Sequence, residues 1–191
     1  MTFDDQLPAD GFWANGALPG NVRLGTNTIL NGTDTFKRFR SNSVVALNIG
    51  THCTIENTQF AVGEQGKISI GNYCFADTAI FLCELEIVIG SYVLISWNVT
   101  IADSDFHPLA PAERIADAIA CSPLAADRKR PAFERARVVI ENGVWIGPNA
   151  TILKGVRIGA GAFVEPGSLL TASVPPGVRV LGNPARIVGR V

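Results

Sequence analysis

The stretch VVIENGVWIGPNATILKGVRIGAGAFVEPGSLL, residues 138–170, decides the fold. Every sixth residue from Ile140 is a branched aliphatic: Ile140, Ile146, Ile152, Ile158, Val164 and Leu170. Four places after each stand Val144, Ala150, Val156, Ala162, Ser168 and Val174, all small or β-branched. Six is three times the strand period of two, and it is not a multiple of the helical 3.6. Each hexad therefore predicts a short strand and a corner. The aliphatic side chain points inward, the small residue fits the tighter bend, and Gly or Asn supplies the unusual backbone angles there. Parallel coils stacked in this way bury one continuous aliphatic column.

The copies VVIENGVW and VRIGAGAF stand eighteen residues apart, which is three hexads and one turn of a three-sided coil. Upstream, ISIGNYCF and IVIGSYVL are nineteen apart. Ile49 and Ile55, then Ile70, Ala76 and Leu82, then Ile89, Ile95 and Ile101, continue the series with breaks of phase. Coils are expected from VRLGTNTIL, residues 22–30, to about residue 175. Residues 1–21 are an N-terminal arm carrying Phe12 and Trp13, and 22–191 form the coiled domain.

Composition narrows the function. With 47% hydrophobic and 17% charged residues in 191, the chain predicts one folded domain with a sizeable core. A formal net charge of -1 gives nucleic acid no electrostatic footing. No apolar run is long enough to predict a membrane span. The acidic opening MTFDDQLPAD is not a signal peptide. Cys53, Cys74, Cys83 and Cys121 lack CxxC spacing, and two sit at inward repeat positions. They read as reduced thiols of a cytoplasmic protein.

The aliphatic register vanishes between residues 102 and 137, a 36-residue gap. A loop of that length is uncommon unless functional. PAERIADAIA, residues 111–120, is expected as a short helix with Pro111 at its start. A prism has flat sides, so an extruded loop can wall a pocket. His107, one of two histidines, stands at the loop's root. An imidazole titrates near neutrality and suits a general base. Asp103, Asp105 or a backbone carbonyl could hold its ring. His52 falls at a repeat corner and reads as a surface residue.

The hexad pattern resembles the hexapeptide-repeat, left-handed parallel β-helix proteins, and the resemblance alone supplies the left hand. NVTIADSDFHP, residues 98–108, resembles the segment leading into the catalytic histidine of galactoside, maltose and xenobiotic acetyltransferases. The run NGVWIGPNATILKGVRIGAGAFVEPGSLLTASVPPGVRVLGNPAR, ending in PPGVRVLGNPAR at residues 175–186, is similar to the same family. The resemblance implies a homotrimer with sites between subunits. It also implies acetyl-CoA as co-substrate in a groove lined by Trp145, Gly147, Thr171 and Arg186. Ala160 and Gly161 are small enough for close approach of a pantetheine arm, and Arg179 and Arg190 add cations. Two departures matter. Ala172 stands where many relatives have Lys, which shifts the phosphate contacts toward the terminal arginines. Pro148 follows WIG and has no N–H to offer an oxyanion.

Asp77 and Glu84, in FADTAIFLCELEIVIG, loosely match places that hold sugar hydroxyls in the galactoside enzymes, with Asn98 nearby. The sequence thus implies an acetyl-CoA-dependent O-acetyltransferase. His107 activates a hydroxyl of a sugar or related acceptor for direct attack on the thioester, with no covalent acyl-enzyme and no metal. An antibiotic or amino-sugar acceptor, or a non-catalytic binding solenoid, are the alternatives. A zinc site of the γ-carbonic anhydrase kind needs three histidines, and the chain has two.

Overall fold

The computed structural model describes residues 11–13, 15–123 and 128–191. The opening decapeptide and Ala14 of the expected arm lie outside the described residues, and so do residues 124–127 of the excursion. The chain winds into a parallel β-solenoid of three sheets. Lys67–Ile70, Glu86–Ile89, Val138–Ile140 and Arg157–Ile158 run along the first side. Phe75–Asp77, Leu94–Ile95, Trp145–Ile146 and Phe163–Val164 run along the second. Gln59–Val62, Ile80–Cys83, Thr100–Ala102, Thr151–Ile152 and Leu169–Leu170 form the third. The stacking is parallel throughout, until Val178–Gly182 turns back on Ala185–Arg190 as an antiparallel pair.

The hexads account for this interior. Ile140, Ile146, Ile152, Ile158, Val164 and Leu170 are all buried, as are the small residues at the bends. Ile89, Ile95 and Ile101 continue the column. One phase differs from the sequence expectation. Phe81, which follows Ala76 by five residues rather than six, fills the interior beside Phe60 and Ile101. Leu82 is turned outward instead.

Corners repeat as ladders. Backbone N–H groups of Thr51, Asn72 and Ser91 donate to Asn72 Oδ1, Ser91 Oγ and Asn142 Oδ1 of the following coil, at 2.9, 3.0 and 2.8 Å. At Gly147 a Cβ would stand 2.8 Å from the backbone nitrogen of Pro166, so only glycine lets the coils approach. Cys53, Cys74 and Cys83 are buried free thiols, and burial together with the Asp103 carboxylate pushes the Cys83 thiol up.

The expected helix forms as Pro111–Ala120, with Pro at its first turn. The excursion closes at its neck: Asp105 N donates to Glu134 O and Ala136 N to Asp103 O. Lys154 Nζ clamps it with ion pairs to Asp105 and Glu134 at 3.2 and 3.0 Å. A shorter excursion, residues 32–46, was not legible as such in the sequence. There Phe39 bridges Val62, and Phe36 packs on Trp13, Phe39 and Phe60. This segment takes the third side's place in the first coil.

Candidate active site

His107 follows a tight turn. Its N–H donates to Asp105 O at 2.7 Å, and Phe106 sits at φ 60°, a region bulky residues seldom enter. The turn sends the imidazole over the loop helix. There Nδ1 meets Asp117 Oδ2 at 2.5 Å. The Asp117 carboxylate is wholly enclosed and is gripped by Arg130, whose Nε donates to Oδ1 at 2.6 Å and Nη2 to Oδ2 at 3.0 Å. Arg130 also donates to Phe106 O at 2.6 Å, so one guanidinium fixes both the acid and the turn. Arg130, opposed by burial and aided by His107, holds the Asp117 carboxyl down to about 2. A permanent carboxylate at Nδ1 keeps that nitrogen protonated and leaves Nε2 with a free lone pair. Among the described residues Nε2 has no hydrogen-bond partner.

The acid at the histidine is thus neither Asp103 nor Asp105. Asp103 is buried, and its oxygens accept from Glu84 N and Leu85 N at 2.8 Å each and from Cys83 Sγ at 3.3 Å. It pins the turn below the cavity. Asp105 pairs with Lys154. Sequence proximity favoured these two, and the helix brings a residue ten places further on.

His107 opens onto a cavity of about 150 Å³ lined also by Arg38, Arg40, Leu82, Glu84, Cys121 and Arg130. Of the expected acceptor residues only Glu84 is here. Its carboxylate lies against Gly63, where an added Cβ would collide with Oε2. Burial and then Asp103 push the Glu84 carboxyl up, against Arg40, Arg130 and Arg135. Asp77 and Asn98 occupy the bend between the second and third sides, outside this cavity. Asp77 accepts from Thr78 Oγ1, and Asn98 holds a left-handed corner. Cys121 was not expected near the histidine. It borders the cavity, but among the described residues its thiol makes no hydrogen bond to His107.

The proposed coenzyme residues fall on different edges of one chain. Trp145, Phe163 and Arg179 share one row on the second side, with Trp145 and Phe163 stacked at 4.3 Å. Arg179 is already paired with Glu165 at 2.6 Å. Gly147 lies at the bend after this side, whereas Ala160 and Gly161 lie at the bend before it. The Ala160 N–H donates to Glu141 Oε2 and so is not spare for a pantetheine arm, while its carbonyl accepts from Gly177 N. Thr171 follows the third side. Arg186 lines a cavity of about 340 Å³ with Ala172, Ser173 and Ile187 at the C-terminal end. Among the described residues no three His, Cys, Asp or Glu side chains gather as a metal set. Among them, too, no helix is long and apolar enough to cross a membrane.

Residues 137–172 match the family described as bacterial transferase hexapeptide (six repeats), over the coils whose hexads are buried here. Those coils carry the hexapeptide repeat. The chain is 30% identical over 144 residues to a galactoside O-acetyltransferase of Lactococcus lactis, covering 75% of the chain and 62% of the relative. It therefore spans less than two thirds of that relative's own length. In structure it is similar to a hexapeptide-repeat-containing acetyltransferase from Vibrio cholerae complexed with acetyl coenzyme A (TM-score 0.60, 28% identity, 72% of this chain and 67% of that one). It is equally similar to a maltose O-acetyltransferase from Clostridium difficile (TM-score 0.60, 28% identity, 73% and 66%).

Proposed function

We propose that this chain is an O-acetyltransferase that takes the acetyl group from acetyl-CoA and gives it to a hydroxyl of a sugar or related small molecule. One observation carries the reading: the 2.5 Å contact between His107 Nδ1 and a buried, arginine-held Asp117, which leaves Nε2 free on a cavity. Similarity to the galactoside and maltose enzymes supports the acceptor class, and similarity to the Vibrio cholerae acetyltransferase complexed with acetyl coenzyme A supports the donor.

We assign the roles as follows. Nε2 takes the proton of the acceptor hydroxyl as its oxygen attacks the thioester carbonyl. Asp117 holds the Nδ1 proton and stabilises the imidazolium that forms. The departing thiolate then receives the proton back from Nε2. Arg130 keeps Asp117 ionised and fixed. Glu84 is placed to accept from an acceptor hydroxyl. Acetyl-CoA is a substrate bound along the late coils, where Trp145, Gly147, Thr171 and Arg186 are the residues we assign to it. Arg186 faces a cavity and is a better phosphate partner than Arg179, which Glu165 occupies.

We further propose a homotrimer in a reducing cytoplasm. The second side shows Phe75, Leu94 and Trp145 in one register row, 38%, 48% and 47% exposed, an apolar strip suited to a neighbouring copy. Three buried free thiols suit a reducing compartment. The test is thiol release from acetyl-CoA with a panel of sugars, comparing wild type with His107→Ala and measuring mass by sedimentation. Acceptor-dependent release that vanishes in the variant supports the reading.

A further inference from the structure

The walls around His107 are unusually cationic for a chain of net charge -1. Its cavity runs into a wider one of about 640 Å³, and the two share Arg40, Gly63, Glu84 and Arg130. Arg38, Arg40, Arg128, Lys129, Arg130 and Arg135 line this basin, six of the sixteen basic residues in the chain. The acids on the same walls are Glu64 and Glu84. Asp117 neutralises Arg130 from behind.

The scaffold holds two of these cations in place. Arg40 N donates to Val62 O and Val62 N to Arg38 O, so residues 38–40 lie against the third side as a strand would. Alternation then turns Phe39 inward and both Arg38 and Arg40 outward, over Ala61 and Gly63 and, one coil on, Leu82 and Glu84. Among the described residues neither guanidinium has a hydrogen-bonded or ion-paired carboxylate, whereas Arg137, Arg157 and Arg179 all do. Two guanidinium groups set two residues apart beside a base, neither held in an ion pair, are a fork for an oxyanion, with the Glu84 carboxylate near Arg40.

We propose that the acceptor is anionic: a hydroxyl compound bearing a carboxylate or a phosphate, which Arg38 and Arg40 grip while Glu84 and His107 address the hydroxyl. This rests on His107 being the base and names the substrate class of that site. A clustered positive field inside a cleft also raises the local concentration of such a ligand, and salt weakens it.

The experiment is calorimetry of the full chain with glucose, glucuronate and glucose 1-phosphate at low ionic strength, followed by thiol release from acetyl-CoA with the same three. We expect at least one anionic sugar to bind roughly ten-fold or more tightly than glucose, with the preference lost in an Arg38→Ala/Arg40→Ala variant of unchanged thermal midpoint and partly kept in Arg38→Lys/Arg40→Lys. Preference for glucuronate alone assigns a carboxylate, and for glucose 1-phosphate alone a phosphate. Equal binding of all three overturns the proposal. So does an alanine variant that loses coenzyme A affinity but keeps the anionic preference, because the cations then serve the coenzyme. Tight anion binding without thiol release leaves the anion site standing and counts against acetyl transfer.

Discussion

His107 Nδ1 and Asp117 Oδ2 lie 2.5 Å apart, the histidine on the turn at the root of the excursion and the aspartate on its helix. The pair gives the imidazole one orientation and one tautomer. Replacing Asp117 with Asn keeps the shape but lets the amide NH₂ face Nδ1, which favours the wrong tautomer. The expected result is a fall in kcat of about 10²-fold with a smaller change in acceptor KM. Steady-state kinetics on a folded variant check it.

The same carboxylate makes the loop acid-sensitive. Its folded value, about 2, lies below its ordinary 3.8. A depressed carboxyl contributes stability that is fully present above about pH 4 and is lost as pH falls through 2. Hydrogen exchange of residues 103–123 is expected to accelerate across that window in wild type and to show no such step in Asp117→Asn.

Arg130 acts through Asp117 and Phe106. In Arg130→Ala the acid loses its first partner, and burial then pushes its carboxyl upward. Limited proteolysis is expected to cut the excursion several-fold faster, while the thermal midpoint of the coils moves little. Arg130→Lys cannot reproduce the three-bond grip and restores only part of the protection.

Two glycines predict opposite outcomes. At Gly147 a Cβ meets the Pro166 backbone at 2.8 Å, so Gly147→Ala forces coils apart and costs about 1–3 kcal/mol. At Gly63 the obstacle is the flexible end of Glu84, so Gly63→Ala leaves the thermal midpoint almost unchanged and raises acceptor KM by displacing that carboxylate. Calorimetric unfolding beside kinetics separates the two.

The coenzyme end is tested by Arg186→Ala, which is expected to weaken coenzyme A roughly ten- to a hundred-and-fifty-fold, as loss of a charge-assisted bond implies. Arg179→Ala, which frees Glu165, is expected to do less. Titration calorimetry ranks them.

The coils were legible because their signal is local and repeated. Ile140 through Leu170 meet the same requirement six times, so periodicity alone places them. Leu82 slipped because the coil is one residue short there and Phe81 fits the interior as well. The site was half legible. His107 stands where the scaffold gives way to the excursion and Glu84 at a corner between the strands Ile80–Cys83 and Glu86–Ile89, both near residues with a recognisable pattern. Arg130, Arg38 and Arg40 reach the cavity from segments outside the hexad register, and Asp117 reaches His107 from the loop helix; no periodicity marks a contact made by chain reversal. Asp103 misled for a related reason: proximity in sequence says nothing of which way a buried carboxylate faces, and backbone N–H groups of Glu84 and Leu85 claimed it.

The most direct measurement is acceptor-dependent thiol release from acetyl-CoA by wild type and His107→Ala, run with neutral and anionic sugars. The account predicts release by wild type and a rate lowered about 10²- to 10⁴-fold in the variant, at unchanged thermal stability and coenzyme A affinity. Equal rates in the two proteins would contradict it.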